Sequence, residues 1–279
     1  MTSAETLRQT LQARFGLAFS VALEENPEGI FYRVRPANEP STVAFSIEVL
    51  RGWRSIELRF RPDPFAAHLI RAMEAAAGEH GSVFRVFAKA AIDSSGDLRL
   101  IVNSTPCDPL GVVAAWPNKW NTCEISLRRG NLAWGSDELY DERTLNDWVC
   151  RFVGLVVSLL PLEPVNDEPV GAGEGGYRHV VVRRYERSRL NRAACIEIQG
   201  VRCIVCDLSF RELYGAIGEG FIHVHHLESV STLVEGTVVD PARDLVPVCP
   251  NCHAMLHTST PPMPPEQLRA RLRPPAQAL

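Results

Sequence analysis

The sequence predicts an α+β protein of two domains, and three observations carry that expectation. Short apolar runs separated by turn residues follow one another through the N-terminal half, with longer helical stretches among and after them. A stretch rich in Pro, Gly and acidic residues, Pro161 to Gly176, then breaks all periodicity. Beyond it stand two Cys-x-x-Cys pairs, Cys203/Cys206 and Cys249/Cys252, the spacing of a metal-stapled unit. With 279 residues the chain is long enough for two cores, and at 46 % hydrophobic and 22 % charged residues it falls outside the disordered class.

Thr2 or Ser3 caps a first helix, in which Leu7, Leu11 and Phe15 recur every fourth residue as one apolar stripe. Strands are expected over Phe19 to Leu23, Ile30 to Val34, Val43 to Leu50 and Trp53 to Phe60. The last of these alternates apolar residues with Arg54, Glu57, Arg59 and Arg61, as a strand with one wet face does. Asn26-Pro27-Glu28-Gly29 and Arg51-Gly52 are turns. Pro64 opens a helix that Gly78 stops after Ala77, and a second helix is expected from Val83 to Ala91. Two further strands, Leu98 to Val102 and Thr122 to Leu127, and a helix from Glu142 to Leu160 close the domain, a mixed α/β arrangement with a mainly antiparallel sheet. Residues 1–165, 166–176 and 177–279 are thus read as domain, linker and second domain.

The formal net charge is only -4, so bulk charge does not announce a nucleic-acid partner and any basic surface is local. The first residues lack the basic and apolar regions of a signal peptide, and Val153 to Leu160 is too short to span a bilayer. No membrane association is expected. Paired cysteines without a secretory signal point to metal binding in a reducing compartment, the cytoplasm. Local basic candidates are Arg33, Arg35, Arg54, Arg59 and Arg61 on strands, and Lys119 between Trp116 and Trp120 in a loop. Loop aromatics beside a cation can cage an extruded base; equally, tryptophans serve packing and strand arginines a solvated face. Past the linker, Arg178, Arg183, Arg184, Arg187, Arg189 and Arg192 crowd one segment. A helix from Arg184 to Ile198, with Leu190, Ala194 and Ile198 as its stripe and Gly200 as its stop, would present them to phosphates.

Cys203, Cys206, Cys249 and Cys252 supply two knuckles, and four thiolates fill a tetrahedral structural Zn2+ site without an open position. His253 and His257, four apart after the second knuckle, share one helix face and can grip one cation. The run Ile222-His223-Val224-His225-His226 alternates like a strand, so His225 and His226 point to opposite sides. One ligand and one free imidazole is the expectation. A histidine kept off the metal can act as a general base, and three protein ligands leave positions for phosphate oxygens. His223 is read as a half-buried strand residue.

The pattern His-His, then Cys-Pro-Asn-Cys-His-x-x-x-His, resembles the HNH (ββα-metal) nucleases. With its two knuckles it resembles the McrA-like endonucleases of type IV restriction systems. The resemblance covers about Tyr177 to Leu256 and slightly beyond. It implies that His225, His253 and His257 hold a catalytic divalent ion (Mg2+, Mn2+, Co2+ or Ni2+) and that His226 activates water. Asp244, nine positions before His253, stands where the family has Asn; it accepts the same backbone hydrogen bonds but donates no amide N–H. The expected protein is a DNA endonuclease whose N-terminal domain reads double-stranded, modified DNA, and whose homodimer would cut both strands. A non-catalytic zinc DNA-binding module and an effector nuclease with a ligand- or protein-sensing N-terminal domain are the alternatives.

Overall fold

The alternating segments of the N-terminal half form seven strands: β1 (Phe19–Asn26), β2 (Gly29–Pro36), β3 (Phe45–Arg51), β4 (Ile56–Pro62), β5 (Asp97–Val102), β6 (Thr105–Cys107) and β7 (Cys123–Arg129). In the computed structural model they make one antiparallel sheet in the order β1-β2-β3-β4-β7-β5-β6. The structure describes residues 3–37, 45–64, 66–135, 137–160, 162–163, 185–227, 239–259 and 261–272. They fall into two compact units, Met1–Ala193 and Ala194–Leu279. The linker expected at 166–176 lies outside the described residues.

The pleat sorts the sheet's side chains by face. Ile47 pairs with Phe60, Val49 with Leu58, Leu58 with Leu127 and Leu100 with Ile125, and all are buried. The other face carries charge of both signs. Arg33 binds Glu24 at 2.8 Å and Glu48 at 3.4 Å, Arg61 binds Glu48 at 3.0 Å, and Glu57 accepts from Arg59 at 3.2 Å and Arg128 at 3.0 Å. Each exposed pair contributes at most about 1 kcal/mol. Together they keep this face wet and fix which side of each strand turns inward. Trp53, expected to open the fourth strand, instead stands 87 % exposed in a turn closed by a Gly52 N–H to Ser55 carbonyl bond of 3.0 Å.

Three helices pack with this sheet: α1 (Ser3–Phe15), α2 (Ala67–Asp93) and α3 (Glu138–Ser158). Leu7, Leu11 and Phe15 are buried as the stripe requires. The Asp137 side chain caps α3 by accepting the Leu139 N–H at 3.0 Å. The two helices expected on either side of Gly78 are one. Buried Met73, Ala76 and Ala77 before it continue into Val83, Phe84 and Phe87 after it. Burying that continuous apolar face outweighs the ~1 kcal/mol that a glycine costs inside a helix.

A short parallel pair, β8 (Leu162–Glu163) and β9 (Tyr185–Glu186), precedes α4 (Arg187–Gln199). The division between the two units falls within α4. Gly200, at φ +75, follows its end. Leu190 and Ala194 are buried, but Ile198 is 45 % exposed, so the stripe expected along this helix stops one turn early. The second unit then holds α5 (Phe210–Tyr214), β10 (His223–His226), β11 (Leu245–Val248), α6 (Pro250–Leu256) and α7 (Pro265–Arg271). Strands β10 and β11 pair antiparallel, and Val205, Ile222, Val246, Val248 and Leu256 pack with three cysteines in a small core.

Two glycines should respond oppositely to a methyl group. Gly78 is exposed and a Cβ there meets nothing within 4 Å, so Gly78→Ala should stabilise the protein by roughly 0.5–1 kcal/mol. At Gly154 of α3 a Cβ would lie 2.5 Å from the Phe87 ring, so Gly154→Ala should destabilise it by about 1–3 kcal/mol. Denaturant melts of the two variants measure both signs.

Candidate metal centres

The first knuckle follows α4 directly. The Cys203 N–H donates to the Leu208 carbonyl at 3.0 Å and the Asp207 N–H to the Cys203 carbonyl at 2.9 Å, which folds Cys203 and Cys206 into one turn. Asp207 closes it with a left-handed backbone, φ 63. The second knuckle opens α6: the Cys249 sulfur accepts the Cys252 N–H at 3.4 Å, and Pro250 begins the helix without losing a needed donor. An Ile204 N–H to Pro247 carbonyl bond of 3.0 Å holds the two knuckles together. From α7, Arg269 reaches the Ile204 carbonyl at 3.0 Å.

All four sulfurs lie within 4.8 Å of one another. Cys206 Sγ and Cys249 Sγ are 3.7 Å apart. Thiolates bound tetrahedrally at 2.3 Å have an edge of about 3.8 Å, so the spacing suits a zinc ion. The thiols also differ in acidity as neighbours crowded without a cation should. Burial pushes Cys206 up to about 11, and burial with the adjacent sulfurs pushes Cys252 up. At Cys203 burial also opposes ionisation, but backbone hydrogen bonds from Cys206, Cys249 and Val205 outweigh it and lower the thiol. A divalent cation is what lets four such groups ionise together. The cluster therefore has the donor set, geometry and electrostatics of a structural zinc site.

The second cluster is built from a strand and a helix. His225 on β10 faces His253 on α6 and His257 at the helix's C-terminal cap. Ring centroids are 5.3 Å apart for His225 and His253, 5.0 Å for His225 and His257, and 4.8 Å for His253 and His257. One nitrogen from each lies within 4.8 Å of the others. Burial, followed by the neighbouring imidazoles, pushes His225 down to about 4 and lowers His253 as well. Their lone pairs are therefore free of protons near neutral pH, as a cation site needs.

His226 is half-buried on the same strand and stays outside this ligand group, because adjacent strand residues turn to opposite faces. Burial lowers its pKa, and the carboxylate of Asp244 pulls the other way. Asp244 ties down the chain around it. Its Oδ2 accepts the Asp240 N–H at 2.7 Å, and its carbonyl accepts the Leu227 N–H, next to His226, at 2.9 Å. His223 occupies the same strand face as His225, with its ring 5.4 Å from that of His253. Its spacing of two from His225 is visible in the sequence, but its contact with a helix that comes thirty residues later is not.

The expected nucleic-acid contacts are placed unevenly. Arg183 and Arg184 lie outside the described residues. Arg187 begins α4, Arg192 is half-buried, and exposed Arg189 lies over Gly16, where a Cβ would come within 2.1 Å of its guanidinium. Trp116 and Trp120 are 5 % and 2 % exposed. Trp116 sits edge-on to Phe84 at 5.5 Å and donates its Nε1–H to the Asp108 carbonyl at 3.1 Å; Trp120 donates to the Pro117 carbonyl at 2.8 Å. Of the two readings open to them, packing or an aromatic cage around exposed Lys119, they take the first and are core residues: burying the two indoles is worth more than presenting them to solvent.

Zinc analysis of the purified protein should find the metal in wild type and lose it in Cys206→Ser and Cys252→Ser. Cys123→Ser should keep it, because Cys123 is buried in the sheet, where burial pushes its thiol up to about 12. Chelation should lower the thermal midpoint of unfolding in wild type.

No family model matches the chain, and neither the curated proteins nor the solved structures compared with it contain a match.

Proposed function

We propose that the chain is a DNA endonuclease of the HNH (ββα-metal) type, in which the C-terminal unit cuts and the N-terminal unit selects the target. The observation that carries this reading is the convergence of His225, His253 and His257 while His226 is kept on the other face of the same strand. The order of elements around them, β10, β11 and α6, is that of a ββα unit.

Three imidazole donors suit a divalent ion, with Mn2+, Co2+ and Ni2+ better matched to nitrogen donors than Mg2+. When bound, the ion would offset the charge that develops on the phosphate. The remaining work falls to side chains of the chain itself. His226, with its pKa lowered by burial, is neutral near pH 7 and takes a proton from the attacking water. The water oxygen bonds to phosphorus as the bond to the leaving sugar oxygen breaks; that oxygen takes a proton from solvent water, and His226 afterwards returns its proton to solvent. Asp244 keeps the Leu227 end of β10 in place and so fixes where His226 points. The cysteine cluster would carry a structural zinc that sets the start of α6, and with it His253 and His257.

The resemblance of the C-terminal half to McrA-like enzymes, with a separate N-terminal unit ahead of it, supports restriction of foreign, modified double-stranded DNA. One active site cuts one strand, so cutting both calls for a homodimer or two binding events.

Purified protein given Mg2+ or Mn2+ should cleave naturally modified phage or genomic DNA in preference to unmodified plasmid. His226→Ala should lower the rate at least ~100-fold. Equal cutting of both pools would move selectivity from modification to sequence or shape. Failure to cut either, with zinc bound and the fold intact, would favour a non-catalytic zinc DNA-binding module or a nuclease that waits for a sensed ligand or protein.

A further inference from the structure

Aromatic rings continue outward from the histidine cluster. Beyond His223, which lies edge-on to His253, Phe221 is 6.0 Å from His223 and Phe210 is 4.8 Å from Phe221. Tyr214 stacks on Phe210 at 5.7 Å with an interplanar angle of 13°. Phe210 is anchored against the small core, but Phe221 and Tyr214 are 48 % and 57 % exposed. His223 and His225 share one face of β10, and Phe221, just ahead of the strand, has its ring 6.0 Å from that of His223. The exposed aromatic surface is thus continuous with the ligand face of the histidine cluster.

Charges of both signs stand around these rings, and Arg202 also lies 3.7 Å from Asp207. The carboxylates of Glu212 and Glu219 are engaged by Arg202 and Arg211. A base inside a duplex is covered on both faces and cannot stack on a protein ring; an unpaired one can, whatever its identity.

We propose that Phe221 and Tyr214 form a stacking platform for an unpaired nucleobase next to the phosphate that the histidine cluster engages. The site would then act on single-stranded DNA, or on duplex with an extruded or frayed base, in preference to intact duplex. This rests on the nuclease reading for the identity of the ligand.

The test uses full-length protein carrying His226→Ala, with Mn2+, and a short single-stranded oligonucleotide containing 2-aminopurine. Binding should quench the fluorescent base. Adding Phe221→Ala should weaken binding roughly tenfold or more, Tyr214→Ala should weaken it less, and Phe221→Trp should restore it, all with unchanged zinc content. Equal binding and quenching by the Phe221→Ala protein would overturn the platform, as would tighter binding of a blunt duplex without an unpaired base. Cleavage by wild type without any quenching would remove the platform and leave the nuclease standing. Quenching that depends on Phe221, in a protein whose wild type cuts nothing, would retain the platform and remove the nuclease.

Discussion

Four sulfur atoms brought within 4.8 Å of one another are the constraint on which the C-terminal unit depends. Three of the eight buried residues of its core cluster are cysteines, so the apolar contribution to stability is small, and an ion held by the four sulfurs would add a cross-link to it. The same atoms set local structure. Cys249 is the N-cap of α6 and Cys252 lies in its first turn, so the knuckle decides where His253 and His257 emerge. Loss of the cluster would therefore cost both fold and histidine geometry, although no cysteine belongs to the histidine group.

The N-terminal unit is stabilised by different means. A long face of Val, Ile, Leu and Phe side chains on the sheet is buried, and α2 and α3 run unbroken because each offers a continuous apolar face. On the wet face of the sheet Arg33, Arg61 and Arg128 are engaged by glutamates on neighbouring strands, and Arg59 by Glu57 on its own strand. Arg51 shows the same economy of charge: it lies over the Trp134 ring at 4.5 Å and pairs with Asp141, which also accepts the Gly135 N–H at 2.9 Å. Guanidiniums here shape the scaffold before they can serve a ligand.

Electrostatics and pleat together separate adjacent histidines into different environments. His225 is almost fully buried among imidazoles, which favours its neutral form. His226 faces the other way, where burial and the Asp244 carboxylate act in opposite directions. A one-residue slip in the β10 and β11 register would exchange these surroundings, so the pairing of His225 with Val246 and His226 with Leu245 bears directly on the site.

Local pattern was enough for much of the fold. The stripe of Leu7, Leu11 and Phe15, the alternation in the strands and the two cysteine knuckles are repeats set by helix pitch, pleat and turn geometry, and these act over a few residues. Where long-range burial competes with local preference, the sequence misled or left alternatives open: Gly78 reads as a stop yet lies inside a helix, and Trp116 and Trp120, which could have served either ligand contact or packing, fill the core. The reason is that burial free energy depends on neighbours distant in sequence, and it exceeds the local preference it overrides. The sequence by itself determined which residues could bind metal and at what spacing. Only the tertiary structure decided that His225 meets His253 and His257, that His223 leads to an exposed run of rings, and that Asp244 secures the chain beside His226. Those contacts join segments that only the antiparallel pairing of β10 with β11 and the packing of α6 bring together.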